Sequence, residues 1–298
     1  MLQRFLQPHV LASISNLGLV AKTVVDGFVA GLHRSPTFGF SQEFAEYRAY
    51  TPGYDLRHVD WNVYARTERA YLKRYRGETN CPVTVLVDAS ASMGYSSHSV
   101  SKIDYTRFAA AAILYLALEQ RDAAGLIVFD EDIRHYTQPS TRQGQLHRVL
   151  HGIEHAEPGG QRTDWSRPFF HVQQFLKRRG VVVVFSELLF GVDPETIVRT
   201  IEPLRYHGNE VILFHVLDPF EIRPKFRDPV ILIDMETQES LEVTPEYARE
   251  EYPAKIDAHI EAIRKKAQAA GLDYHLMQTD KPLDGVLREY LAIRRGRF

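Results

Sequence analysis

From residue 82 onward, short apolar runs alternate with amphipathic stretches. Val83-Thr84-Val85-Leu86-Val87, Gly125-Leu126-Ile127-Val128-Phe129, Val181-Val182-Val183-Val184-Phe185 and Val211-Ile212-Leu213-Phe214-His215-Val216 each have the length and β-branched content of a strand buried on both faces. Between them the pattern predicts helices over 102–120, with Ser101 as N-cap, about 143–154, about 164–178, and from Pro194 to about 206. Residues 133–136 read as a short edge strand, Tyr274-His275-Leu276-Met277 as a last strand and 282–294 as a last helix. Strands separated by helices predict an α/β fold: a mostly parallel sheet with helices on both faces.

Three segments stand outside this rhythm. Residues 10–29 place Ile14, Leu17, Ala21, Val24 and Phe28 on one helical face, and the expected unit is an N-terminal helix within 1–35. Residues 36–80 are dense in aromatic and charged side chains, with Thr51-Pro52-Gly53 as a turn and a strand over 71–75, which predicts a small β-rich module. Residues 217–245 carry Pro219, Pro224 and Pro229, then a predicted hairpin (230–234 against 240–243) expected to join that module. A polar amphipathic helix over 246–269 follows and stops at Gly271. The expected domain at 81–298 is therefore interrupted by 217–245.

Composition narrows the function. With 36 basic and 38 acidic residues the net charge is −2, which removes the electrostatic reason to expect nucleic acid as a ligand. Cys81 is the single cysteine, so internal disulfides and Cys-based zinc motifs are excluded, and a cytoplasmic setting is expected. The longest apolar run, 108–118, falls short of the roughly 20 residues that span a bilayer. The stretch 10–32 contains Asn16, Lys22 and Asp26 and lacks the pattern of a signal peptide.

The candidate chemistry lies just past the first strand. Asp88, Ser90 and Ser92 stand at i, i+2 and i+4, a spacing that turns three oxygen side chains toward one point at the carboxyl end of the sheet. A carboxylate with two hydroxyls suits Mg²⁺, or another divalent cation such as Mn²⁺ or Ca²⁺. Two further loops offer ligands: Thr163 and Asp164 after Gly159-Gly160, and Glu187 after the strand at 181–185.

These residues resemble the D-x-S-x-S signature of the von Willebrand factor A domain and its metal-ion-dependent adhesion site. Upstream, Glu43-Phe44, Arg48-Ala49-Tyr50, Gly53-Tyr54-Asp55-Leu56-Arg57, Asp60-Trp61 and Ala65-Arg66-Thr67 resemble a bacterial family often encoded beside MoxR-type AAA+ ATPases, domain-of-unknown-function family 58. The resemblance runs over nearly the whole chain, including Asp234-Met235-Glu236-Thr237. It implies a von Willebrand A-like, Rossmann-like fold and a non-enzymatic adaptor. It further implies Asp88, Ser90, Ser92 and Thr163 as metal ligands and a partner carboxylate completing the ion. The expected partner is a MoxR-type AAA+ ATPase, in protein assembly or maturation. Glu187 departs from the family, which usually has Asp there. One methylene longer, it either touches the ion or displaces the partner's carboxylate.

Other readings stay beside this one. Glu187 filling the site would make a metal-free interaction scaffold, and a metal-dependent hydrolase at Asp88 is a third class. Enzyme motifs are absent: there is no phosphate-binding G-x-x-x-x-G-K-[ST] loop, no G-x-G-x-x-G after a strand and no G-x-S-x-G elbow. His147, His151 and His155 recur every four residues, a spacing that can bind zinc but more often marks a solvated helix face. Arg48, Asp55, Arg57, Asp60 and Arg66 are expected to form a structural ion-pair network.

Overall fold

The computed structural model describes residues 6–32, 46–49, 61–67, 69–74, 81–159, 166–188, 192–235 and 238–296. In chain order its elements are α1 (Pro8–Leu11), α2 (Leu17–Leu32), β1 (Glu46–Ala49), α3 (Trp61–Thr67), β2 (Tyr71–Arg74), β3 (Pro82–Asp88), α4 (Lys102–Glu119), β4 (Ala123–Phe129), β5 (Ile133–Ser140), α5 (Gln145–Glu154), α6 (Ser166–Phe175), β6 (Val181–Ser186), α7 (Pro194–Ile201), β7 (Glu210–Leu217), α8 (Pro219–Ile222), β8 (Val230–Ile233), β9 (Ser240–Val243), α9 (Pro245–Glu250), α10 (Tyr252–Ala269), β10 (Asp273–Gln278) and α11 (Asp284–Gly296). The chain divides into two compact units, residues 1–29 with 81–298, and residues 30–80.

In the larger unit a six-stranded sheet has the order β10-β7-β6-β3-β4-β5. All neighbours are parallel except β5, the edge strand, which runs antiparallel to β4. This is the α/β architecture expected from the alternating runs. The central strands are buried along almost their whole length, which is why they read as continuous apolar runs rather than alternating ones. One face of the sheet, including Leu86, Val182, Val184 and Leu213, packs on α6, α7 and α10 through Phe169, Val172, Ile197, Ile201, Ile260 and Ile263. The opposite face is covered by α4 and its neighbours α5 and α11. Helix α4 is buried nearly all round, from Ile103 to Ala117.

Local chemistry explains the element ends. Ser101 caps α4 by accepting from the Asp104 N–H at 3.2 Å. Gly271 takes φ +71° after α10, a conformation that favours glycine. The single helix expected over 10–29 is instead broken into α1 and α2. Asn16 Oδ1 accepts from Leu19 N at 2.9 Å and so starts a new helix where the apolar periodicity suggested continuation. Likewise 246–269 is two helices meeting at Glu251, and the helix from Pro194 tightens into a 3-10 segment at Glu202–Gly208.

The 217–245 stretch contains the expected hairpin, β8 paired antiparallel with β9. Ile231, Ile233 and Leu241 on it are exposed. In the smaller unit β1 pairs antiparallel with β2, Arg48 opposite Leu72. Asp55, Arg57 and Asp60 of the expected ion-pair network lie outside the described residues.

Candidate metal and partner-binding site

The chain runs from β3 outward through β4 to the edge strand β5, then returns to the other side of β3 with β6. Strand order therefore reverses between β3 and β6, and ligands of open α/β sheets bind beyond the strand ends at such a point. Asp88 is the last residue of β3 and Ser186 the last of β6. They face each other there: Ser186 Oγ donates to Asp88 Oδ2.

Three of the predicted residues are held together. Asp88 Oδ1 accepts from Ser90 N at 2.9 Å, and Ser90 Oγ lies 3.1 Å from Ser92 Oγ. Asp88 and Ser90 are fully buried, and Ser92 is half-buried. Ser92 sits in the 3-10 turn Ala91–Gly94 that follows Ser90. Burial pushes the Asp88 carboxyl up to about 6, against the opposing effect of its bonds from Ser186 and Ser90, and the nearby Glu187 charge adds to the rise. A buried carboxylate in that condition is one that a cation would stabilise.

Thr163, the fourth expected ligand, lies outside the described residues, as does Asp164. The segment leading to it is anchored at the site: Gly159 N donates to Ala89 O at 3.0 Å. A Cβ on Gly94 would stand 3.2 Å from Pro158, so the 3-10 turn packs closely on the Pro158 loop, and it would lie at ordinary contact distance, 4.0 Å, from the Met235 methyl.

Glu187 faces elsewhere. Its carboxylate accepts from Lys102 Nζ, which also donates to Glu221 Oε1 at 2.6 Å. Lys102 is the first residue of α4 and is completely buried. A cation there opposes the helix dipole, and the two carboxylates supply the compensation. Burial alone would lower the Lys102 pKa, but the charges of Glu187 and Glu221 outweigh it and the net shift is upward. Glu221 in turn belongs to a capping box, accepting from Asp218 N at 2.8 Å while Asp218 Oδ1 accepts from Phe220 N at 2.8 Å. Asp218, buried at the end of β7, also accepts from Ser97 N at 2.9 Å and Ser97 Oγ at 2.5 Å, which ties down the loop before α4. After Glu187 the chain turns through Leu188 at φ +52°, a left-handed conformation unusual for leucine. Its fully buried side chain and the 3.2 Å bond from Leu188 N to Ser186 Oγ hold that turn.

Residues 46–262 match the family model described as "Protein of unknown function DUF58". The chain belongs to the DUF58 family. Two similar relatives are uncharacterized proteins of Mycobacterium tuberculosis and Mycobacterium bovis, each 26% identical over 97% of this chain and 91% of the relative. Among solved structures, the conserved hypothetical protein BatB from Bacteroides thetaiotaomicron aligns with a TM-score of 0.47 at 12% identity, covering 72% of this chain and 98% of that one. The SpRpn10 VWA domain aligns with a TM-score of 0.43 at 10% identity, over 70% of this chain and 95% of that domain.

In this DUF58 member the residues not anticipated as part of the site are Lys102, Glu221 and Asp218, together with the Ser186 bond to Asp88. Two local signals pointed to them: a lysine immediately after the N-cap of a helix, and the Asp218-Pro219-Phe220-Glu221 capping pattern. His147 and His151 lie on the exposed face of α5, and His155, also exposed, is the residue that ends it. Among the described residues no group of three His, Cys, Asp or Glu side chains is placed to hold a metal. No helix among them is long and apolar enough to cross a membrane.

Proposed function

We propose that this protein is a cytoplasmic, non-enzymatic binding module. A divalent cation, Mg²⁺ by preference, would be held by Asp88, Ser90, Ser92 and Thr163 and would take a carboxylate from a protein partner. One observation carries the reading. At the switch point of the sheet, a buried carboxylate sits beside two hydroxyls whose oxygens are 3.1 Å apart. Adjacent ligands on Mg²⁺, each at about 2.1 Å from the metal, stand about 3 Å apart, so the pair is spaced to share one ion. With no ion between them, the same spacing serves a hydroxyl–hydroxyl hydrogen bond. Asp88 keeps acceptor capacity on each oxygen beyond its bonds to Ser90 and Ser186. With Asp88 the one charged ligand among the described residues, the cation is under-neutralised, and an incoming acid binds well for that reason.

The family resemblance supplies the partner, a MoxR-type AAA+ ATPase, and a role in protein assembly or maturation. The test is the affinity of the host's MoxR-type ATPase for the full chain, in Mg²⁺, in chelator and with Asp88→Asn. Binding that weakens in the last two conditions supports the reading. Equal affinity in all three removes the metal from the function.

A second reading rests on the internal satisfaction of Asp88. Ser186 and Ser90 N already bond its two oxygens, as a scaffold working without an ion would require. Under that reading Asp88→Asn lowers stability but leaves partner binding indifferent to chelator.

A further inference from the structure

We infer that Lys102 is a positioning residue that keeps Glu187 off the cation and thereby reserves a coordination place for the partner's carboxylate. This rests on the metal-dependent reading above and says why a Glu one residue from the site does not fill it. Glu187 directly follows Ser186, whose hydroxyl touches Asp88. Its carboxylate is nonetheless turned to Lys102, with its side chain only 13% exposed. Lys102 is fully buried and stands in the first turn of α4, where the helix itself disfavours a cation.

The two acids that meet Lys102 differ in freedom. Glu221 is fixed by its second oxygen on Asp218 N, at 2.8 Å, within the capping box. Among the described residues, no comparable bond within its own turn holds the Glu187 side chain. Lys102 therefore stays paired with Glu221 at 2.6 Å whether Glu187 remains or leaves.

Charge decides what the arrangement achieves. With the Glu187 carboxylate held on Lys102 rather than on the ion, a divalent ion at the site meets one carboxylate among the described residues, Asp88, and keeps net positive charge for an external acid. If Glu187 were released onto the ion, two internal carboxylates would neutralise it. An incoming carboxylate would then gain little and would compete with a tethered rival at high effective concentration.

Mn²⁺ binding to the purified full chain, read by electron paramagnetic resonance as a stand-in for Mg²⁺, tests this. Glu187→Gln leaves Lys102 paired with Glu221 and is expected to change Mn²⁺ affinity by less than about twofold, whereas Asp88→Asn weakens it by about tenfold or more. Lys102→Met is expected to tighten Mn²⁺ binding by about tenfold, by adding a charged ligand. That gain should vanish in the Lys102→Met, Glu187→Gln double variant. Lys102→Arg, which keeps the charge, should behave as wild type. The inference is overturned if Glu187→Gln weakens Mn²⁺ binding as much as Asp88→Asn, or if folded Lys102→Met shows no gain. Where Lys102→Met does not fold, the comparison of Glu187→Gln with Asp88→Asn decides. If wild type binds no Mn²⁺, the metal-dependent function fails. In that case the inference survives only if Lys102→Met acquires a Glu187-dependent site, and falls if it does not.

Discussion

The two rims of the six-stranded sheet bury polar side chains to a similar degree and use them differently. At the amino-terminal rim, where the acids Asp122 and Glu210 are also buried, two buried amides serve the backbone. Asn209 Oδ1 accepts from Gly180 N at 2.9 Å, and its Nδ2 donates to Leu204 O at 3.0 Å and Tyr206 O at 2.9 Å. Gln145 Nε2 donates to Ala124 O at 2.6 Å and Gln138 O at 2.9 Å. At the carboxyl-terminal rim the buried and half-buried groups are charged or hydroxylic, and they bond each other between elements: Asp88 with Ser186, Glu187 with Lys102, Lys102 with Glu221. Neutral amides that close backbone gaps are a folding device, satisfied once and permanently. Coupled charges in a dry setting cost more to bury and can exchange partners, which is the property a binding site needs.

Removing one member from each rim tests the contrast. The largest effect is expected from Lys102→Met, which leaves the half-buried Glu187 and Glu221 carboxylates facing each other without their fully buried ammonium. It should lower unfolding free energy by about 3–5 kcal/mol in urea titration, and a loss below about 1 kcal/mol would mean the charges were not truly coupled. At the opposite rim, Gly180→Ala forces a Cβ to 2.2 Å from the Pro82 carbonyl oxygen. The resulting overpacking should cost about 1–3 kcal/mol, with no change in any metal or partner response.

pH should separate the rims as well. His215, on β7 beside Ser186, has its pKa pushed down to about 3, first by burial and then by the nearby His259 charge. The unfolded chain takes up this proton near pH 6.5 while the folded one does not. Stability is therefore lost as pH falls from 6.5 toward 3, by about 2 kcal/mol between pH 7 and 5. Asp88, raised by burial to about 6, works in the opposite direction, so the informative comparison is wild type against His215→Gln. The variant should show the shallower acid limb in denaturant midpoints, and identical limbs would remove His215 from the pH response. The smallest effect is expected from Ser101→Ala, which removes the cap that starts α4 at Lys102. It should cost about 1 kcal/mol and leave Mn²⁺ affinity unchanged, because Lys102 is fixed by its acids more than by the cap.

The parts of the fold legible beforehand share a local cause. Val181–Ser186 is recognisable as a buried strand because both its faces are apolar. The start of α4 follows from Ser101, and the end of α10 from Gly271. Misreadings arose where a local bond overrode periodicity, as when Asn16 began a second helix inside an apolar stripe that continues on both sides of it. The candidate site divides along the same line. Asp88, Ser90 and Ser92 lie within five residues and could be grouped by spacing alone. Glu187 was recognised as an acid after a strand, but its orientation was not, because Lys102 is 85 residues away and Glu221 lies 119 from Lys102.

By itself, then, the order of residues determined the alternation of strands and helices, the sheet's burial on both faces and the oxygen-rich turn at the end of β3. All of these depend on neighbours within one element or one turn. Only the tertiary structure decided which strands flank β3, that Ser186 answers Asp88, and that a buried ammonium claims Glu187. Those outcomes depend on which side chains share a desolvated space. There the strength of a charge pairing is set by the surrounding dielectric and by every other charge present, not by distance along the chain.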